Sequence, residues 1–565
     1  QRHLTIPCEM CIRDRAQAQA RGAPAQVSAA SERLYASQRA VRAAVKEARY
    51  AHVDQLVSAA GVAAEENQGK RLWQLLGRIA GKRRAAGGPA ALRAPGSEGL
   101  VVGEQQIADV LAGQYQRTTD PAAFAAGAGF DDEHKVSVEA DVADMRAARS
   151  YCEEGPAGLS DLFDAGEVAR AIGSIHNGKA PSPLDGVNGE LLKFGGACLV
   201  GALVALFNAQ LVLETKAQTT GVITPLFKKG EPTDPANWRP ITLGSSLDKA
   251  YNSCINARLV CLLEGEWEGA EGEPRLHDAQ QGFRPGRSCL DCLHMLTTVL
   301  HARLSSRQLT YLLFVDVEKA YDSVWRAGLL WHLWDKGVRG RLFRVIANMA
   351  DAPRSMVRHR GCLSGEFAPG MGWEQGDTLA TTLFNVFIDS VLAGVWREHP
   401  GVPIPAGDAA PHKLVALMYA DDLAATCATP EGLQAAIDTI AAGLRRWRLK
   451  ASVRPGDGSK TAVLVVGRGA PAAAARQHAW SWAGVPVPVV DSYKYLGVLL
   501  HQGGGLAQHF AHRMQKADAA ARAQAAVLKQ SGLPWAVRRD CLVAAVQPVL
   551  TYAAQIWSTP TQAHA

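Results

Sequence analysis

Apolar and polar positions follow two different textures along this chain. From about Ala16 to Lys82 the residues are mostly Ala, Arg, Glu and Gln with few helix breakers, which predicts long helices. Gly87-Gly88-Pro89 and Pro95-Gly96 mark a loop, helical spacing resumes over Gly103–Tyr115, and Gly127–Gly129 with the acidic stretch Asp131–Asp144 reads as an exposed connection. From Ser160 onward, short elements separated by strong turn residues take over. Asp164–Ile175 reads as a capped amphipathic helix that stops at Asn177-Gly178. Leu199–Leu213 predicts a buried helix. Thr220–Phe227, Leu309–Val317, Thr461–Val466 and Tyr495–Leu500 predict strands, and Asp377–Leu392, Gln515–Gln530 and Trp535–Leu550 predict helices. Strands and helices alternate without the glycine fingerprint of a doubly wound nucleotide fold. The expected class is therefore α+β, with antiparallel strands in its core.

One interruption of this pattern stands out. Tyr419-Ala420-Asp421-Asp422 separates two short apolar runs, Leu414–Met418 and Leu423–Thr426. Aspartate is depleted in strand interiors but suits turn geometry, so the two runs predict a hairpin with two carboxylates at its tip. Two like charges held there cost roughly 1 kcal/mol or more, which a cationic partner would offset, and a pair of divalent metals is the obvious candidate. The alternative is a solvated Asp-Asp turn.

Composition narrows the class. With 565 residues, 47% hydrophobic and 20% charged, the chain is a folded protein of more than one domain. A net charge of +6 permits a nucleic-acid partner, and Lys70-Arg71, Lys82-Arg83-Arg84 and Arg445–Lys450 are either solvated faces or parts of a phosphate-tracking channel. Eleven scattered cysteines favour a reducing, intracellular setting. Cys8-x-x-Cys11 and Cys289-x-x-Cys292 lack the second halves that a zinc knuckle needs. No apolar run reaches the ~18 residues of a membrane span, so no membrane partner is expected. The start at Gln1 suggests a fragment, and residues 1–15 look doubtful or foreign and are set aside.

Asp316 ends the predicted strand over Tyr311–Val315, and Asp322 follows. A strand-end aspartate beside an Asp-Asp hairpin is what two-metal phosphoryl chemistry requires: two ions ~3.5–4 Å apart clamp the attacking and leaving oxygens. Hard ions such as magnesium take carboxylate oxygen, so two or three aspartates suffice.

On these residues the chain resembles a reverse transcriptase of the non-LTR (LINE-type) retrotransposon family, over about Ser160–Trp557. The blocks occur in the family's order: Asn237–Leu243, Gln281–Ser288, Phe314–Asp322, Gln375–Leu379, Tyr419–Asp422, Ser459-Lys460-Thr461 and Tyr495-Leu496-Gly497. Lys179–Gly186 departs from the family's usual loop and is one residue longer; Ala380 replaces a common serine. The resemblance implies a right-hand polymerase: a helical extension over 16–150, fingers over 151–305, a palm over 306–502 and a partial thumb over 503–565, with no endonuclease. It implies RNA-directed DNA synthesis from dNTPs on a primer 3′-hydroxyl, in target-primed reverse transcription, with template RNA and target DNA as partners and two Mg2+ (or Mn2+) as cofactors. The implied setting is a ribonucleoprotein of nucleus and cytoplasm.

By the same resemblance Asp316, Asp421 and Asp422 are catalytic metal ligands and the Val317 carbonyl assists. Tyr321 excludes a ribose 2′-hydroxyl. Lys228 (or Lys229) and Arg239 reach the triphosphate, Gln375 and Gly376 approach a base or template strand, and Lys460 donates a proton to pyrophosphate. Rivals are an inactive relic or RNA-binding protein that keeps the fold, a group II intron-type maturase, and an RNA-templated RNA polymerase.

Overall fold

The computed structural model describes residues 24–66, 68–79, 88–94, 99–126, 129–148, 155–178, 185–215, 220–268, 272–351, 353–404, 413–454 and 459–557. Residues 1–15 with Cys8 and Cys11, and 179–184 of the altered loop, lie outside them. The chain divides into two units: 1–85 with 510–552, and 86–509 with 553–565.

The first unit is helical. Pro24–Glu65 and Gly69–Ile79 contribute Leu56, Val57, Ala60, Leu75, Leu76 and Ile79 to a core that Val527, Leu533, Val537 and Cys541 complete. Where one helix is predicted over Trp535–Leu550, the structure has Trp535–Ala545 and Gln547–Leu550, broken at Val546. Pro548 explains the break: it has no N–H to donate and its ring would clash with the preceding turn.

The second unit mixes helices and two four-stranded sheets. One sheet holds β1 (Gly221–Phe227), β2 (Trp238–Leu243), β4 (Ser355–His359) and β5 (Cys362–Leu363), ordered β2-β1-β4-β5, with β1 and β4 parallel and the other pairs antiparallel. The other holds β3 (Thr310–Asp316), β6 (Ala416–Tyr419), β7 (Asp422–Cys427) and β8 (Ala462–Val466), ordered β6-β7-β3-β8 and antiparallel throughout. β3 is flanked on both sides and all but its last residue are buried, which explains its unbroken apolar run. Helices Arg326–Asp335, Ala380–Val391 and Pro430–Arg446 bury Leu329, Leu383, Phe387, Leu433 and Ile437 in the same core as this sheet. Among the described residues no helix is long and apolar enough to cross a membrane.

Three further expectations change. Asp131–Asp144 is not a connection: Asp131 caps a helix over Asp132–Ala147 that buries Val138 and Val142, one turn apart. The helix Gly196–Val212 buries only the stripe Leu203, Phe207 and Leu211, while Leu206 and Val212 are exposed. Tyr495–Leu500 is a hairpin, β9 (Ser492–Tyr495) and β10 (Val498–His501), turning at Leu496-Gly497, both with positive φ (43° and 85°).

Candidate active site

The apolar run of β3 ends at Asp316, where the chain leaves the core and a charged side chain can reach solvent. In the antiparallel register with β7, Asp316 lies directly opposite Asp422, and Asp422 faces Tyr419 across the β6–β7 hairpin. Directly opposed residues bring their Cβ atoms within roughly 5 Å, so this register places two like charges side by side. The tip itself is Ala420-Asp421, with Ala420 at φ 56°. The sequence pattern had put both aspartates at the tip; in the structure Asp422 opens the strand, which is what aligns it with Asp316.

The electrostatics record this crowding. Burial pushes Asp421 up from the usual carboxylate range and Asp316 adds to it, while its own backbone N–H, Lys460 and Arg239 oppose. Asp422 is pushed up to about 6, first by desolvation at the strand end and then by Asp421 and Asp316. Lys460 Nζ donates to Asp316 at 2.8 and 3.1 Å and partly neutralises the group.

Cations gather on the same side. Desolvation, then Lys460 and Arg239, lower the proton affinity of Lys228, and Asp316 opposes them. The ends of β1 and β2 thus bring Lys228 and Arg239, which pairs with Leu226 across the strands, into the field of the aspartates. Tyr321 packs its ring on Phe384 at 4.9 Å, and its hydroxyl is held protonated by burial and by Asp421. Val317 continues β3 as a buried bridge to Ala451.

Gln375 and Gly376 take a different place. The Gln375 carbonyl accepts from Thr242 N at 2.8 Å, and Gly376 has φ 115° with its hydrogen facing Thr242 O, where a Cβ would come within 2.7 Å. This glycine therefore has a local reason: close approach to β2. Gln375 lines a cavity of about 70 Å³ together with Tyr115, Asp322, Arg326 and Trp373. Asp322, close in sequence to Asp316, belongs to that cavity.

Two residues near the hairpin escaped the sequence pattern. Tyr493 stacks on Phe314 at 4.0 Å and 3°, and its hydroxyl donates to the Lys460 carbonyl at 2.8 Å. Tyr495, within the family block, is instead buried. Gln280, one residue before another block, is fully buried against the hairpin tip. The basic run is partly absorbed by packing: Arg448 covers the Phe130 ring and pairs with Asp132, and Lys450 covers Phe124.

Hard carboxylate oxygens in mutual repulsion are a donor set that suits divalent cations. Among the described residues, however, no group of three or more His, Cys, Asp or Glu is gathered closely enough to hold an ion. Lys460 holds Asp316 in this conformation.

Residues 227–500 match the family model described as reverse transcriptase (RNA-dependent DNA polymerase). The chain is similar to the probable RNA-directed DNA polymerase from transposon BS of Drosophila melanogaster, 27% identical over 69% of this chain and 42% of the relative. It is also similar to that from the X-element of the same fly, 25% identical over 71% and 42%, and to the RNA-directed DNA polymerase from mobile element jockey of Drosophila funebris, 26% identical over 54% and 32%. The chain thus spans less than half the length of these relatives. A solved structure of apo telomerase from Candida Tropicalis, truncated from its C-terminal domain, is similar at a TM-score of 0.34 and 11% identity, over 50% of this chain and 53% of that one; a likeness that loose separates no fold from another. Residues 227–500 thus resemble a reverse transcriptase domain, and these relatives are RNA-directed DNA polymerases of transposons and a mobile element.

Proposed function

We propose that this chain extends a primer 3′-hydroxyl with deoxynucleotides on an RNA template, in target-primed reverse transcription. The observation that carries the reading is the register of Asp422 on Asp316 with Asp421 at the adjoining tip, faced by Lys228, Arg239 and Lys460. In this reading the sheet β6-β7-β3-β8 is the palm, the sheet β2-β1-β4-β5 belongs to the fingers, and the helices after Gly503 form a partial thumb.

Asp316, Asp421 and Asp422 are the residues that would hold a pair of divalent ions, with the Val317 carbonyl beside them. Such ions would supply acidity to the primer hydroxyl and neutralise charge on the triphosphate. The rest falls to the chain's own groups. Lys228 and the Arg239 fork bind phosphate oxygens, for which a planar guanidinium is suited. Lys460, released from Asp316, gives a proton to the departing pyrophosphate. The Tyr321 ring, braced by Phe384, occupies the space of a ribose 2′-hydroxyl and selects deoxynucleotides. Gln375 and Gly376, in the turn held against Thr242 of β2, are the residues against which the template base rests. Template RNA, primer DNA and dNTPs are the partners this requires.

Primer extension on an RNA template with dNTPs and Mg2+ tests the reading. Asp421→Asn and Asp316→Asn are each expected to lower kcat by about a thousandfold or more, the loss of roughly 4 kcal/mol of transition-state stabilisation. Extension at the unmodified rate by either variant sinks the assignment.

A further inference from the structure

The tip Ala420-Asp421 carries a proposed ligand on a two-residue turn, a place where a hairpin is free to flex. Three observations show that it is held from outside. The chain over 279–281 adds to the free edge of β6: Met418 N donates to the Ala279 carbonyl, and Gln281 N donates to the Met418 carbonyl, each at 2.8 Å. Between these bonds the side chain of Gln280, with no solvent exposure, reaches the turn. Its Oε1 accepts from Ala420 N at 3.0 Å and from Gly282 N at 2.9 Å, while Nε2 points to the Ala420 carbonyl at 3.4 Å. Gly282 lies so close that a Cβ there would come within 2.4 Å of Ala420 N. The flanking segment is itself anchored: Asn385 Nδ2 donates to the Gly282 carbonyl at 2.7 Å, and the buried Arg284 donates to the Gln280 and His277 carbonyls while paired with Glu264.

A buried backbone N–H has to find a partner. In a two-residue turn, the N–H of the first central residue has none inside the hairpin, and Ala420 has the further cost of a left-handed conformation without being glycine. The Gln280 carboxamide satisfies that N–H and, through the Gly282 N–H that shares its oxygen, ties the turn to the segment that Asn385 and Arg284 anchor. Gln280 touches none of the three aspartates' ligand oxygens, so its effect runs through backbone position. A turn that shifts by an ångström would separate Asp421 from Asp316 even though both carboxylates remain.

We propose that Gln280 is a positioning residue that fixes the hairpin tip, and with it Asp421, beside Asp316, so that the carboxylates can close on divalent cations once Lys460 leaves Asp316; the inference rests on the polymerase reading above. Gln280→Met keeps the volume and removes the acceptor. Gly282→Ala perturbs the same junction from the other side, with a Cβ against Ala420 N. Three readouts on the full chain are compared with the unmodified protein: hydrogen exchange over 418–422, Mn2+ binding in the absence of nucleic acid followed by the EPR signal of the free ion, and single-nucleotide primer extension.

Both variants are expected to exchange at least tenfold faster over 418–422 with β3 and β8 unchanged. They are expected to bind Mn2+ about tenfold more weakly, and to lose kcat ten- to a hundredfold with the KM for dNTP within about twofold. A purely structural glutamine would alter exchange or melting and leave Mn2+ affinity untouched. Mn2+ binding at unmodified strength by variants with a deprotected hairpin, or unchanged exchange at the hairpin, overturns the proposal. If Gln280→Met does not fold, Gly282→Ala alone decides by the same three readouts. Failure of the unmodified chain to bind Mn2+ or to extend a primer would instead count against the polymerase reading, so the two outcomes are distinct.

Discussion

Asp322 shows how close two aspartates can lie in sequence and how differently they are used. It faces an otherwise largely apolar cavity, and no hydrogen bond to it is found among the described residues. Burial pushes it up to about 6, against a small opposing effect of Lys319. A carboxyl whose folded pKa lies above its unfolded value adds no penalty below about pH 3, where both states are protonated, and destabilises the fold progressively as pH rises to about 6. Asp322→Asn, which removes the charge and keeps the shape, is therefore expected to raise stability by about 1–2 kcal/mol at pH 7.5 and by about 0.5 kcal/mol or less at pH 4. Urea unfolding at the two pH values checks this; an equal gain at both would mean that the charge is not the cause. The aspartates of the hairpin were legible in the sequence because adjacent carboxylates break an apolar run visibly. Gln280 and Tyr493 were not: their roles depend on Ala420, 140 residues away, and on Phe314 across the sheet. Nothing in a local pattern separates a glutamine aimed at a distant turn from one facing solvent.

At the scale of elements, strands bounded by turn residues were readable, and helix ends and charged runs less so. β3 and β8 fall where their apolar runs predict them. The acidic helix Asp132–Ala147 was hidden because only Val138 and Val142 on it are buried, too thin a stripe for a periodic signal. The run Arg445–Lys450 reads as a solvated face or part of a phosphate-tracking channel, yet Arg448 and Lys450 are engaged with Phe130, Phe124 and Asp132. The β9–β10 turn combines both lessons. Leu496 has φ 43° ahead of Gly497, the conformation in which Asn-Gly is strongly preferred and a leucine is strained. Strain of that kind persists where the surroundings or a function require it. Leu496→Asn is expected to raise the melting temperature by about 2 °C through relief of roughly 1 kcal/mol. If the hairpin holds the primer end, the KM for primer–template should rise severalfold in the same variant. A stabilised protein with an unchanged KM would assign the strain to folding history and deny the hairpin a substrate role.

The whole molecule is organised by long-range closure, which no local window reveals. The first unit joins helices from opposite ends of the chain: Leu56, Val57, Leu75, Leu76 and Ile79 share one core with Val527, Leu533, Val537 and Cys541. The second unit has a core of its own, containing Leu313, Val315, Leu383, Phe387, Leu423 and Ile437 around the proposed active site. Each apolar cluster of the described residues draws on one unit only, which predicts two separately cooperative bodies. Burial of four side chains such as Val527, Leu533, Val537 and Cys541 contributes about 6 kcal/mol or more, so neither half of the first unit should persist without its complement. Deleting residues 1–85 alone is expected to leave those faces uncovered, with strong binding of a hydrophobic dye and loss of one thermal transition. Replacing 510–552 in that deletion by a flexible Gly/Ser linker, so that Ala553–Trp557 is kept, removes the exposed faces and should abolish the dye binding while the remaining transition stays at the same temperature. Equal dye binding by both deletions, or a shift of the second transition by more than a few degrees, would show that the two cores depend on each other.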